Sequence, residues 1–279
     1  MELDCDGIPA VKPKIFDPDE AEQLRSRCQG SEAIVNAVKE TEKKVKAPRL
    51  YDLTTLQREA NRIYGMTAKQ TLDTAQSLYE KKLITYPRTD SQYLTEDMEQ
   101  TARNVVRQIY EKYQLTGPFD QPEQPDVKKV MNNSKVTDHH AIIPTMELAS
   151  CHLDELKSWE EKILFLIAVH TVMAMSKDHI YQETEIEVEC QGEIFKAKGK
   201  TVLQDGWKLF ENCFKNKDRM AIVDPDQEMK ERMPKVTQGQ TFYAVAAEKT
   251  EHFTSPPKPY SDVIFCERKE WIGIEERSS

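Results

Sequence analysis

Apolar and polar positions change period twice along the chain, which divides it into a β-rich beginning, a helical middle and a β-rich end. The opening carries a short strand signal around Leu3 and Cys5, a turn at Asp6-Gly7, and a second apolar segment at Ile15-Phe16. Asp17 as N-cap, Pro18 at the first helical position, Glu20 three residues on, and Ala21, Leu24 and Cys28 on one stripe predict a compact helix stopped by Gly30. Ser31 to Thr41, with Ile34, Val35 and Val38, reads as strand. The lysine-rich segment Glu42 to Pro48 reads as a solvated connector crossing between domains rather than as a DNA contact.

The middle is the most regular part. Thr54 with Gln57 and Thr67 with Gln70 each fit a capping box. The first helix would run to Gly65 with Leu56, Ala60 and Ile63 inward. The second would run to about Lys82 with Ala68, Leu72, Ala75 and Tyr79 inward. With an extended Leu83 to Tyr86 behind them, the pair is either a helix-turn-helix running into a wing-like strand or an ordinary helical hairpin. Thr95 opens a further helix through Met98, Val105, Val106, Ile109 and Tyr113, stopped by Gly117-Pro118, and Asp120 to Asp126 is a loop. A long helix from about Leu153 to Met175, dense in apolar residues from Ile163 to Val172, is a core element. His152, His170 and His179 around it are structural or solvent histidines.

Alternation then returns. Thr184, Ile186, Val188 and Cys190 interleave with glutamates, and after Gln191-Gly192, Phe195 and Ala197 interleave with Lys196, Lys198 and Lys200. This predicts a hairpin with one buried face and a Glu-opposite-Lys solvent face. A strand at Thr241 to Ala247 follows, and Ser255-Pro256-Pro257-Lys258-Pro259 is an extended linker. The expected fold class is α+β, a helical block inserted into a β domain: 1–46 and 181–259 β, 47–180 helical, 260–279 a divergent tail.

Composition narrows the function classes. At 279 residues with 31% charged side chains and mean hydropathy -0.69, the chain shows no apolar run near the ~18 residues of a membrane span. No signal peptide is visible, so a soluble, cytoplasmic protein with no membrane partner is expected. The six cysteines show no CxxC or other zinc spacing and read as reduced, buried thiols. A net charge of -9 and a pI near 5.4 argue against nucleic-acid binding on global charge, but phosphate affinity depends on local basic surface.

Two stretches carry candidate chemistry: Leu83-Ile84-Thr85-Tyr86-Pro87-Arg88-Thr89-Asp90-Ser91 and Lys135-Val136-Thr137-Asp138-His139-His140-Ala141-Ile142-Ile143-Pro144-Thr145. Pro87 biases Tyr86 toward an extended backbone, so the phenol and the Arg88 guanidinium could lean to one side of a strand. A free phenol, with a pKa near ~10, is a weak nucleophile at neutral pH and needs charge stabilisation and a route for its proton. Arg88 can supply the first at a phosphate, and His139 or His140 can hydrogen-bond a non-bridging oxygen or the leaving sugar. From these residues alone, Tyr86 is either a nucleophile for in-line displacement at a phosphodiester or a structural tyrosine. The His-His pair is a catalytic group, a strand end or a metal half-site, although Cys151 alone cannot complete a zinc site with it.

These two stretches, with Leu53-Thr54-Thr55-Leu56-Gln57 upstream and Thr254-Ser255-Pro256-Pro257-Lys258 downstream, resemble type IA DNA topoisomerases, the bacterial topoisomerase III branch in particular. The resemblance covers roughly residues 1 to 260. It implies that Tyr86 is the nucleophile forming a 5′-phosphotyrosine, that Arg88 stabilises the transition-state charge and that His139 assists at the phosphate. It further implies DNA contacts from Gln57, Thr85, Asp90, Ser91, Lys135 and His140, helped by Lys81 and Lys82, and a CAP-like, winged-helix-related domain inserted in a β-rich arch. The family's Mg²⁺ is held by a Toprim domain, which this chain is expected to lack, as it is expected to lack the lower DNA-binding domain; no metal or cofactor is expected in these residues. From about residue 263 the family pattern is lost. The expected whole-enzyme partners are single-stranded, negatively supercoiled or catenated DNA and the remaining domains of the same polypeptide, with the gate hinging near Lys46-Ala47-Pro48 and His179-Ile180. This stretch alone would be close to inactive in relaxation. The alternative is a non-catalytic module of the same fold that binds single-stranded DNA or a partner.

Overall fold

Asp6 and Gly7 both take positive φ, 56° and 87°, the backbone of a tight two-residue hairpin turn, and they fold β1 (Glu2–Cys5) back on β2 (Ile8–Val11). In the computed structural model, which describes residues 1–12, 15–115, 125–211, 233–243 and 245–251, this hairpin belongs to the first of two compact units. That unit comprises residues 1–45 and 180–205 and the described residues from 233 onward.

Its other elements are α1 (Pro18–Cys28), β3 (Ala33–Val45), β4 (His179–Cys190), β5 (Glu193–Gln204), β6 (Thr241–Phe242) and β7 (Ala246–Glu248). The seven strands form one sheet in the order β6-β3-β4-β5-β2-β1-β7. Asp17 caps α1 by accepting the Asp19 N–H, and Gly30, at φ 70°, follows its end. The β4–β5 hairpin has the expected two faces. Glu185 lies opposite Lys198 and Glu187 opposite Lys196, with ion pairs of 2.5 and 2.7 Å, while Ile186, Val188, Cys190, Phe195 and Ala197 are buried. Glu183 lies opposite Lys200 in the same ladder; Glu183 also takes Lys43 at 3.6 Å, and the Lys200 ammonium sits 4.0 Å from the Tyr181 ring centre.

Two β expectations are corrected, and the apolar pair Ile15-Phe16 lies outside the strands, with Phe16 89% exposed. β3 continues through Val45, so most of the lysine-rich segment is strand rather than connector. The strand expected at Thr241 to Ala247 is broken, and its pieces, β6 and β7, lie at opposite ends of the strand order. The linker at 255–259 and the tail from 260 fall outside the described residues.

The second unit holds residues 46–179 and the described residues 206–211. Its helices are α2 (Leu53–Tyr64), α3 (Ala68–Glu80), α4 (Glu99–Tyr113) and α5 (Ser158–Ala174). α2 buries Leu56, Ala60 and Ile63 and ends at Gly65 with φ 67°, as expected. Its cap is Asp52 rather than Thr54. The carboxylate accepts the Thr55 N–H at 2.7 Å and Thr55 returns the bond to the cap backbone, an exchange that leaves Thr54 inside the first turn. α3 has the expected Thr67/Gln70 box but buries Thr71, Ala75 and Leu78, and Tyr79 is exposed. Thr71 can face the core because its hydroxyl donates to the Thr67 carbonyl.

α4 starts after a 3₁₀ turn at Glu96–Met98, where Thr95 makes no side-chain cap, and ends at Tyr113 with Gln114 at φ 48°. The expected stop at Gly117-Pro118 lies outside the described residues. α5 is shorter than expected, with a 3₁₀ turn at Leu153–Glu155 before it. It is buried almost all round, as a core helix should be. Glu160 near its start is also buried; burial opposes its charge, but bonds from Lys81, Ser77 and the Lys157 N–H hold its pKa at about 2. Among the described residues, no helix is long and apolar enough to cross a membrane.

Candidate active site around Tyr86

The segment after α3 is anchored before it is exposed. Leu83 and Ile84 sink into the helical core beside Ile142 and Ile143. The backbone then pairs briefly with the second motif: Ile84 bridges Pro144, the Thr85 N–H donates to the Ile143 carbonyl and the Thr145 N–H to Leu83, each at 3.0 Å. Pro144 has no N–H and Pro87 follows three residues after Ile84, so the pairing stays a single bridge and no wing strand forms. From Pro87 to Ser91, buried and exposed residues alternate: Pro87, Thr89 and Ser91 inward, Arg88 and Asp90 outward.

Inward hydroxyls lock the two motifs together. Thr85 Oγ donates to the Ala141 carbonyl and accepts the Ile143 N–H, both at 3.0 Å. Thr89 Oγ donates to the His139 carbonyl at 3.0 Å, and Ser91 Oγ to the Lys135 carbonyl at 2.9 Å. The start of α2 joins them. Leu53 N–H donates to the Thr89 carbonyl, Gln92 Nε2 reaches the second carboxylate oxygen of Asp52 at 2.9 Å, and Tyr51 bridges Ile142. Each such bond contributes about 1 kcal/mol net, and leaving a partner unsatisfied at a buried position costs more.

This frame presents a half-buried Tyr86 to the His139 ring, with centroids 4.4 Å apart and planes tilted by 46°. The Tyr79 ring meets Tyr86 at 5.4 Å and 75°. Arg88, Asp90, Lys135 and His139 are exposed on the same two stretches. The arrangement therefore offers a phenol beside an imidazole, with a guanidinium two residues on, at a surface open to a polyanion.

Not every expected site residue stands at that surface. Thr85 and Ser91 spend their hydroxyls inside the fold, Ser91 at 4% exposure. Gln57 Nε2 donates to the Ala68 carbonyl at 3.0 Å, joining α2 to α3. His140 is half-buried with Nδ1 2.9 Å from the Ala141 carbonyl. Lys81 is committed to Glu160, and Lys82, exposed at φ 61°, accepts the Thr145 hydroxyl on its carbonyl. Sequence reasoning did not single out Thr89, Asp52 or Gln92, and it placed Tyr79 in the core. The only local trace of Thr89 is the alternation from Pro87 to Ser91.

Of the other histidines, His170 is structural. It stacks on Tyr51 at 3.7 Å and 13°, bonds the Arg49 carbonyl through Nε2, and burial pushes its pKa down to about 4. His179 is buried and His152 exposed. Among the described residues, there is no group of three or more His, Cys, Asp or Glu side chains that could hold a metal ion.

Comparison with known proteins shows the family of the chain. The family model described as DNA topoisomerase matches residues 9–267. The chain is 36% identical over 271 residues to DNA topoisomerase 3 of Bacillus licheniformis, covering 94% of this chain and 35% of that protein. It is also 36% identical over 267 residues to DNA topoisomerase 3 of Bacillus subtilis, covering 94% and 36%. It thus spans about a third of the length of these relatives. In fold it is similar to full-length topoisomerase I from Thermotoga maritima, with a TM-score of 0.69, 24% identity and coverage of 98% of this chain and 43% of that one. The chain belongs to the DNA topoisomerase family, on the type IA, topoisomerase III side that its tyrosine segment resembles.

Proposed function

We propose that this chain is the strand-cleaving gate segment of a type IA DNA topoisomerase, with Tyr86 as nucleophile. The observation that carries the reading is the contact of the Tyr86 and His139 rings, held by three hydroxyls, beside an exposed Arg88. In the proposed step the phenol oxygen attacks a backbone phosphorus in line, the P–O bond to the 3′ oxygen breaks, and the products are a 5′-phosphotyrosine and a free 3′-hydroxyl. The phenol proton leaves and the departing 3′ oxygen gains one. His139, within reach of the phosphate, hydrogen-bonds it, and Arg88 holds the charge on its non-bridging oxygens. Religation reverses the step, so no ATP is consumed.

In this reading the sheet unit is the arch and the helical unit is the CAP-like domain that carries the tyrosine. Exposed Lys135, Asp90 and the half-buried His140 flank the strand, while Thr85, Ser91 and Gln57 serve the DNA by shaping the surface. Mg²⁺, if the reaction uses it, would supply electrostatic support for the charge that develops at the phosphate. The substrates are single-stranded, negatively supercoiled or catenated DNA, and the setting is cytoplasmic.

In the full-length polypeptide, Tyr86→Phe should abolish the covalent protein–oligonucleotide adduct on a denaturing gel, by at least about a thousandfold. An adduct of wild-type yield in that variant overturns the assignment. The 279-residue chain by itself should give no topoisomer ladder from supercoiled plasmid with Mg²⁺; a ladder abolished by Tyr86→Phe would show that it suffices alone. The exposure of Arg88, Lys135 and His139 favours a second reading, a single-strand-binding module without chemistry, which the adduct assay separates from the first.

A further inference from the structure

We infer that Tyr79 is a positioning residue for Tyr86, fixing the plane of the nucleophile's ring against His139; this rests on the reading of Tyr86 as nucleophile. Tyr79 is not a core residue: α3 buries Thr71, Ala75 and Leu78, and Tyr79 is 39% exposed. Its ring is nonetheless engaged, nearly perpendicular to Tyr86 at a separation typical of edge-to-face aromatic pairs.

The two tyrosines share one frame. The Lys82 N–H donates to the Tyr79 carbonyl at 2.8 Å and the Leu83 N–H to the Leu78 carbonyl at 2.9 Å, so the end of α3 and the start of the Tyr86 segment are joined directly. After the bridge to residues 142–144 the segment is next tied through its backbone at the Thr89 carbonyl, which accepts the Leu53 N–H, and between these points the ring of Tyr86 has two aromatic neighbours to define its orientation, Tyr79 and His139. Without Tyr79, rotation about the side-chain torsions would let the phenol turn from the position beside His139. A reacting oxygen displaced by about 1 Å loses up to ~10²-fold in rate.

The test uses Tyr79→Phe, which keeps the ring, and Tyr79→Leu, which keeps apolar bulk without it. In the 279-residue chain labelled with fluorotyrosine, the ¹⁹F resonance of Tyr86 is assigned by its loss in Tyr86→Phe. Tyr79→Phe should leave it in place and Tyr79→Leu should move it toward the free amino-acid position, with the resonances of Tyr51 and Tyr113 unmoved as evidence of an intact core. In the full-length polypeptide, Tyr79→Leu should slow adduct formation about tenfold at unchanged KM, and Tyr79→Phe should restore it. An unmoved Tyr86 resonance, a wild-type rate in Tyr79→Leu, or a Tyr79→Phe as slow as Tyr79→Leu each overturns the inference. If Tyr79→Leu disturbs the core resonances, Tyr79→Gln, suited to an exposed helical position, replaces it under the same criteria. Cleavage that survives Tyr86→Phe strikes instead at the nucleophile reading, and the ¹⁹F result distinguishes that failure from this one.

Discussion

Thr89 is a small residue with a large share in the site. On a side chain only 7% exposed, its hydroxyl donates to the His139 carbonyl and accepts the Ser91 N–H. Thr89→Val keeps the shape and removes both bonds, so it should cost about 2 kcal/mol in chemical denaturation and release the His139 backbone. His170 gives a different signature. Its folded pKa of about 4 lies below the ordinary histidine value, so the unfolded chain binds more protons between those two pH values, and stability falls as pH drops through them. From pH 7 to pH 5 the loss should be about 1 to 2 kcal/mol, absent in His170→Phe, which retains a ring for Tyr51 to stack on. Glu160, with its folded pKa near 2, also loses its contribution on acidification, but from the ordinary glutamate range downward, below the His170 effect. The stretches that carry Tyr86, Arg88 and His139 stood out in the sequence because each is a short contiguous word, and the structure brings the Tyr86 and His139 rings together. The bonds of the Thr85, Thr89 and Ser91 hydroxyls were not legible, since each reaches a partner 44 to 58 residues away, which local alternation does not reveal.

At the scale of elements, the errors share a cause: one spacing serving two faces. In α3 the sets Ala68, Leu72, Ala75, Tyr79 and Thr71, Ala75, Leu78 both recur at helical spacing and share Ala75. Periodicity cannot choose between them, and the self-satisfied hydroxyl of Thr71 lets the less apolar set win. At α2 the cap is Asp52 rather than the expected Thr54, and its second carboxylate oxygen also takes Gln92. Asp52→Ala should therefore cost more than an ordinary cap, about 2 kcal/mol rather than ~1, and Gln92→Ala should recover less than a further ~0.5 kcal/mol from that background. Thermal unfolding of the single and double variants measures both. The buried faces of α2, α4 and the β4–β5 hairpin were readable because a single period fitted each.

For the whole chain, on the proposed reading, the balance of charge and local surface would set DNA affinity. A net charge of -9 opposes a polyanion, while exposed Arg88 and Lys135 favour it. Two phosphate contacts on single-stranded DNA correspond to a log–log salt slope of about -1.4, so affinity should fall about sevenfold from 50 to 200 mM salt. Fluorescence anisotropy with an oligonucleotide measures this, and Arg88→Ala should halve the slope. The fold class was foreseeable from the two changes of period; the strand order was not, because neighbours in a sheet need not be neighbours in sequence.

That order has one further consequence. β6 and β7 stand at the two ends of a seven-strand sequence of pairings, yet only residues 243–245 separate them. Laid flat, seven strands would hold their outer members about 29 Å apart, whereas four residue steps reach at most about 14 Å. The sheet must curl until its margins meet, and the meeting line is stapled: Val245 accepts the Gly30 N–H at 2.8 Å and donates to the Ser31 carbonyl at 3.3 Å. A seam thus joins the two ends of the strand order near residues 30–34 and 241–247.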